Sequence, residues 1–206
     1  YPYWMGTACN NLDWGLLTHV TYFSAELNAT GGFDSTRGWP NGTYAAGLRA
    51  LATANGAKLL VSVTAFSTTI HNAVLQNMTI RATATSNLIG LVTSGNADGI
   101  DLDFEGMTSG NKTHFTAFVT NLAARLRAVR PGALVTLACP AVDWGGVIDR
   151  AALADTVDFF FIMGYDYHWS SGNPGAVSPL AGGSINLTKS VDYYNDGKIP
   201  SHKVIA

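Results

Sequence analysis

Cysteine is nearly absent. Cys9 and Cys139 are the only two in 206 residues, too few for a disulfide framework, and Cys139 sits in an apolar run where it reads as a buried small hydrophobe. Charge is scarce as well: 12 basic and 14 acidic residues give 13% charged content and a net charge of −2. With no basic block, neither a nucleic acid nor an anionic membrane surface is an expected partner. No run approaches the ~18 consecutive apolar residues of a membrane span. The opening Tyr1-Pro2-Tyr3-Trp4 lacks the charged start and apolar stretch of a signal peptide, so any leader is expected upstream of Tyr1. Low-complexity segments, internal repeats and linker-like stretches are missing too. The whole chain, 1–206, is therefore expected to be one domain.

What is present is an ordinary globular composition, 47% hydrophobic, which argues against disorder. Abundant Thr, Asn, Ala and Gly with little Lys fits a secreted, extracellular protein. Five glycosylation-type sequons begin at Asn28, Asn41, Asn77, Asn111 and Asn186; they carry meaning only in a secreting eukaryote.

Short β-branched or aromatic runs alternate with longer helical patterns. The strand-like runs are Tyr1–Trp4, Leu17–Ser24, Lys58–Thr64, Gly99–Phe104, Ala133–Cys139, Val157–Gly164 and Lys203–Ala206. The clearest helix is Lys112–Val129, where Phe115, Phe118, Val119, Leu122, Leu126 and Val129 recur at helical spacing before the stop Arg130-Pro131-Gly132. Other helical patterns cover Tyr44–Asn55, Thr79–Thr93 and Asn186–Asn195. Such alternation reads as an α/β fold with a parallel sheet covered by helices. No Gly-x-Gly-x-x-Gly loop follows a strand, which removes the main sign of a nucleotide-binding open sheet. Polar residues gather at the C-terminal ends of the strands, where TIM (β/α)8 barrels build their sites. A full barrel needs ~250 residues. This chain is therefore expected to supply strands one to about seven, to lack strand eight, and to be poorly active unless something else closes it.

The most informative segment is Asp98-Gly99-Ile100-Asp101-Leu102-Asp103-Phe104-Glu105. On a strand, Ile100, Leu102 and Phe104 share one face while Asp101, Asp103 and Glu105 share the other, ~6.6 Å apart in steps of two. Carboxylates so confined raise one another's proton affinity and titrate as a unit. A carboxyl kept protonated near neutral pH suits glycoside hydrolysis, whose leaving oxygen needs a proton. Glu105, nearest the mouth of the strand, is the candidate donor. A solvated edge strand is the bland alternative, but a strand flanked by βα units belongs at the centre of the sheet. The segment also mimics the start of a calcium loop, yet the twelfth position is Lys112 rather than a bidentate Glu. The five histidines show no ligand spacing. No metal and no cofactor is expected.

At this point the residues resemble glycoside hydrolase family 18, the chitinases and their relatives. Asp98-x-x-Asp101-x-Asp103-x-Glu105 is similar to the signature of the family's fourth barrel strand. Met163-Gly164-Tyr165-Asp166 resembles its Met-x-Tyr-Asp motif, and Ser178-Pro179-Leu180 and Gly197-Lys198-Ile199-Pro200 follow in the family's order. The resemblance implies a retaining hydrolase of β-1,4-linked N-acetylglucosamine polymers, with chitin or chito-oligosaccharide as partner, in which the substrate's acetamido group is the nucleophile. It implies Glu105 as proton donor, Asp103 holding the acetamido N–H, Asp101 sharing a proton with Asp103, and Tyr165 donating to the acetamido oxygen. Asp166 and Met163 would border the sugar, Asp98 would be structural, and Ser62 would support Asp101. Trp144 and Trp169, just past two strands, are candidate stacking platforms for pyranose rings. The chain departs from the family where a Ser-x-Gly-Gly motif is usual: here it reads Ser62-Val63-Thr64-Ala65. The family's first-strand tyrosine maps to Tyr1 or Tyr3. The same barrel also supports two other readings, an endoglycosidase acting on N-glycan cores and a non-catalytic sugar-binding protein.

Overall fold

The computed structural model describes all of residues 1–206. Its sheet contains β1 (His19–Leu27), β2 (Phe33–Ser35), β3 (Lys58–Ala65), β4 (Gly99–Phe104), β5 (Leu134–Pro140), β6 (Phe159–Met163) and β7 (Val204–Ile205). They stand in the order β2-β1-β3-β4-β5-β6-β7. Every pairing is parallel except β1 with β2. The helices are α1 (Thr43–Ala54), α2 (Thr68–Gln76), α3 (Met78–Ser94), α4 (Lys112–Val129), α5 (Arg150–Leu153) and α6 (Leu187–Tyr194). The sheet curls as in a (β/α) barrel but is not closed, because β7 and the β1–β2 edge do not pair with each other.

Strand parity decides which side chains meet the helices. Ile100, Leu102 and Phe104 of β4 turn outward into a single core of 42 buried residues. There the Phe104 ring lies 5.7 Å from Phe115 and 5.9 Å from Phe118, both on the apolar stripe of α4. Cys139, on the outward face of β5, is fully buried in the same core as a free thiol.

Two acidic residues at the base of the sheet lock neighbouring strands together. Asp98, just before β4, accepts a hydrogen bond from the Leu59 N–H of β3 and pairs with Lys58 at 3.2 Å. Asp158, just before β6, accepts from the Val135 N–H of β5 and pairs with Arg127 at 2.8 Å. Asp98 thus stands at the end of the sheet opposite the mouth and serves the backbone.

The expected strand Tyr1–Trp4 is corrected. Only Pro2 bridges to Phe23, and Tyr3–Met5 forms a 3-10 turn closed by Met5 N–H donating to the Pro2 carbonyl. The aromatic alternation there serves local packing: the Tyr1 hydroxyl donates to the Gly6 carbonyl, and Trp4 packs edge-on against Tyr3 and Phe23. The run Leu17–Ser24 overlaps β1, which extends to Leu27, and Val157–Gly164 and Lys203–Ala206 contain the shorter β6 and β7. Three elements have no counterpart among the expected ones: the four-residue helix α5, β2 and α2. β2 is a three-residue edge strand, and α2 opens on β-branched Thr68-Thr69-Ile70 behind a Ser67 cap.

Four of the five sequon asparagines are engaged in structure, and Asn41 is exposed. Asn77 caps α3, Asn186 caps α6, Asn28 closes a turn onto Thr30 and Gly32, and buried Asn111 bonds to Asn72 and Gln76. No helix is long and apolar enough to cross a membrane.

Candidate active site

The inward face of β4 carries Asp101 and Asp103, and each meets a different environment. Asp101 lies level with Ser62 on β3 and Thr136 on β5. The Ser62 hydroxyl donates to one of its carboxylate oxygens at 3.1 Å and the Thr136 hydroxyl to the other at 2.5 Å. Burial raises its proton affinity, while these two donors oppose the rise. Asp103 is 5% exposed, and its Oδ1 has no hydrogen-bond partner. Burial first, then the charges of Glu105 and Asp101, push its pKa up to about 7. No hydrogen bond joins Asp101 to Asp103; the donors to Asp101 come from the flanking strands.

Glu105 follows the end of β4, its N–H donating to the Ala65 carbonyl at 3.0 Å, and Gly106 then turns the chain at φ +74°. Although the residue is exposed, its carboxyl stands in a confined mouth. Partial burial, and next the Asp166 charge, raise its pKa above the ordinary value. Behind it, His71 of α2 stacks on Phe104 at 5.9 Å and bonds through Nε2 to that same Ala65 carbonyl. Burial holds this imidazole below its usual pKa, so it stays neutral and donates there.

From the next strands come Met163, the last residue of β6, then Tyr165 and Asp166. Tyr165 is half-exposed. Its phenol is held above the usual value by burial and then by the carboxylates Asp103, Glu105, Asp166 and Asp101. Asp166 adopts φ +54°, a left-handed conformation that aspartate tolerates.

Three concavities meet at these residues. The barrel interior, about 530 Å³, is bordered by Ser62, Asp101, Asp103, Met163 and Tyr165. Above it lie two clefts that share Glu105 and Trp144. One of about 220 Å³ also holds Tyr165, Asp166 and Trp169; the other, of about 170 Å³, runs past Asp143 and Ile148. Trp144 is 79% exposed and Trp169 60%, whereas Trp14 and Trp39 are buried in the core. Of the two candidate first-strand tyrosines, it is Tyr1 that borders the interior. No group of three or more His, Cys, Asp or Glu side chains has an arrangement that would hold a metal ion.

All nine singled-out residues, Glu105, Asp103, Asp101, Tyr165, Asp166, Met163, Trp144, Trp169 and Ser62, thus border one connected mouth and interior. Thr136 was missed. The available signal was its parity: in Leu134-Val135-Thr136-Leu137-Ala138-Cys139 it is the lone polar side chain on the inward face. His71 had no comparable signal, because its role depends on where α2 packs.

The arrangement places one carboxyl at the rim, a second carboxyl buried two residues below it, and a phenol bordering the same mouth and interior. The chain also matches known proteins in sequence and fold. The model of the glycosyl hydrolases family 18 matches residues 1–206. YdhD of Bacillus subtilis (strain 168), assigned as a sporulation-specific glycosylase, is 31% identical over 145 residues, covering 68% of this chain and 33% of that protein. The cortical fragment-lytic enzyme of Bacillus anthracis is 25% identical over 198 residues, covering 92% of this chain and 44% of the enzyme. The chain thus spans between a third and a half of the length of these curated relatives. Among solved structures, the GH18 chitinase from Cycas revoluta in complex with (GlcNAc)3 superposes with a TM-score of 0.82 at 21% identity, over 99% of this chain and 65% of that one. The agreement in fold is with TIM-barrel chitinases. This chain belongs to the glycosyl hydrolases family 18.

Proposed function

We propose that residues 1–206 form a single glycosidase domain that cleaves β-1,4-linked N-acetylglucosamine polymers with retention, the substrate's acetamido group acting as nucleophile. The observation that carries this reading is the position of Glu105. It stands at the mouth where the two clefts meet, its proton affinity raised, directly above buried Asp103.

In this reading the Glu105 carboxyl protonates the glycosidic oxygen as the acetamido oxygen attacks the anomeric carbon, and the resulting carboxylate then takes a proton from the incoming water. Asp103 accepts the acetamido N–H and balances the positive charge of the oxazolinium intermediate. Asp101, held by Ser62 and Thr136, sets the charge beneath it. The Tyr165 hydroxyl donates to the acetamido oxygen and orients it for attack. Asp166 and Met163 border the reacting sugar, and the exposed indoles of Trp144 and Trp169 offer flat apolar faces to neighbouring rings.

The relatives named for sporulation and for lysis of cortical fragments favour a second substrate. In that reading the same chemistry acts on the N-acetylated glycan of bacterial peptidoglycan.

The test is hydrolysis of a chromogenic N,N′-diacetylchitobioside and of cortex peptidoglycan fragments by the chain and by Glu105→Gln, with the product anomer followed by NMR. Initial release of the β-anomer and a loss of about 10²–10⁴-fold in kcat on substitution are expected. Preference between the two substrates decides the glycan. Sugar binding without turnover in both proteins would overturn the enzymatic reading in favour of a sugar-binding barrel.

A further inference from the structure

The inward ladder across β3, β4 and β5 repeats its geometry one step higher, but with different chemistry. At the lower step Ser62, Asp101 and Thr136 are register partners, and both hydroxyls donate to the carboxylate. At the upper step the register partner of Asp103 on β3 is Thr64, and the next residue along β5 is Ala138, which offers no donor. Thr64 is 4% exposed, and its hydroxyl makes one long contact, 3.4 Å to the Ala25 carbonyl on β1. That distance is well beyond the ~2.7–2.8 Å typical of a hydroxyl donor. A weakly engaged buried hydroxyl thus belongs to the register partner of a residue whose buried carboxylate oxygen has no partner.

We propose that Thr64 is a positioning residue for Asp103, its hydroxyl turning from the Ala25 carbonyl to donate to the Asp103 carboxylate when that group is ionised. A β-branched side chain needs only a rotation about χ1 to redirect its hydroxyl between the strands on either side. The lower step of the ladder shows that a hydroxyl on β3 at this register reaches a β4 carboxylate. The inference rests on the reading that Asp103 takes part in the reaction, but the contact itself can be tested without turnover.

The ionisable groups acting on Asp103 are Asp101 and Glu105 from its own strand segment and Tyr165 after β6; His19 of β1 and Tyr1 of the amino-terminal segment also line the interior, and no lysine or arginine does. Nothing else on β3 or β5 at this level can donate to an ionised Asp103, which gives the Thr64 hydroxyl its leverage. A donor to the charged form lowers a carboxyl's pKa, and removing it raises that pKa.

The experiment is a carbon-detected NMR titration of the Asp103 carboxyl in the chain, in Thr64→Val and in Thr64→Ser. The Thr64→Val variant keeps the side chain's shape and removes the hydroxyl. It should raise the Asp103 midpoint by about half a pH unit, a threefold change in proton affinity, as befits one lost hydrogen bond. Thr64→Ser should titrate like the unsubstituted chain. In hydrolysis assays, the limb of the kcat/KM profile that Asp103→Asn removes should move upward with Thr64→Val and not with Thr64→Ser. An unchanged midpoint in Thr64→Val, or equal shifts in both variants, overturns the assignment. A shifted midpoint in a chain that hydrolyses neither glycan leaves the contact standing and overturns the proposed activity instead.

Discussion

The three carboxylates of the acidic segment differ because of what stands beside each, although they fall at every second residue of one segment, with Glu105 just past the end of β4. Asp101 has two hydroxyl donors, Asp103 has an unpartnered oxygen, and Glu105 opens to the mouth. The cost of this arrangement falls mainly on Asp103. Its folded-state pKa of about 7 lies above the ordinary 3.8, so the folded state binds its proton more tightly than the unfolded state. Below about pH 4 it is protonated in both states and carries no penalty. As pH rises through the window up to about 7, stability is lost. Asp103→Asn removes the charge with little change of shape. Urea unfolding should therefore show the variant more stable than the parent above pH 7, by on the order of 2–4 kcal/mol, with the difference vanishing near pH 4. Equal stabilities across that range would show that the carboxyl is solvated in the folded protein. At this scale the sequence was informative, since strand parity puts Asp101 and Asp103 on one face with Glu105 beyond them. It did not reveal Thr136 or Thr64 as neighbours, because their proximity depends on the register between strands.

Among the elements, α4 was the most legible. Its apolar stripe and helix-stop residues define Lys112–Val129, and its bounds in the structure are the same. The stripe is worth what it buries. Phe118 is fully buried and stacks on Phe104, directly beneath the site. Phe118→Ala should cost about 3–5 kcal/mol in chemical denaturation, from lost burial and a residual cavity. Asn77→Ala, which removes the α3 cap that accepts from Thr79 and Ile80, should cost about 1 kcal/mol. A comparable loss from both would mean that packing against α4 does not dominate. The elements that sequence reading missed are short or lack periodicity. Three residues of β2 cannot show an alternation, and α2 begins with residues that favour strands until Ser67 caps it. The aromatic Tyr1–Trp4 run erred the other way, since its alternation reflects packing around a turn.

For the molecule as a whole, one core gathers the outward faces of the strands and the inner faces of the helices, from Cys9 to Ile199. With no second cluster to melt separately, far-UV circular dichroism and tryptophan fluorescence should report one coincident unfolding transition. Two separated midpoints would overturn the assignment of residues 1–206 to a single domain.

By itself the sequence determined the alternation of strands and helices, the acidic face of β4, and the family resemblance carried by Asp98, Asp101, Asp103, Glu105, Met163, Tyr165 and Asp166. These follow from periods of two and 3.6 residues and from local side-chain identity, which need no knowledge of distant contacts. Only the tertiary structure decided that Thr136 joins Ser62 as a donor to Asp101 while Asp103 goes unpaired, that His71 braces the backbone at Glu105, and that Trp14 and Trp39 fill the core. Each depends on which strand lies beside which and in what register. That is settled by packing across the chain, because burial and hydrogen bonding are set by neighbours far apart in sequence.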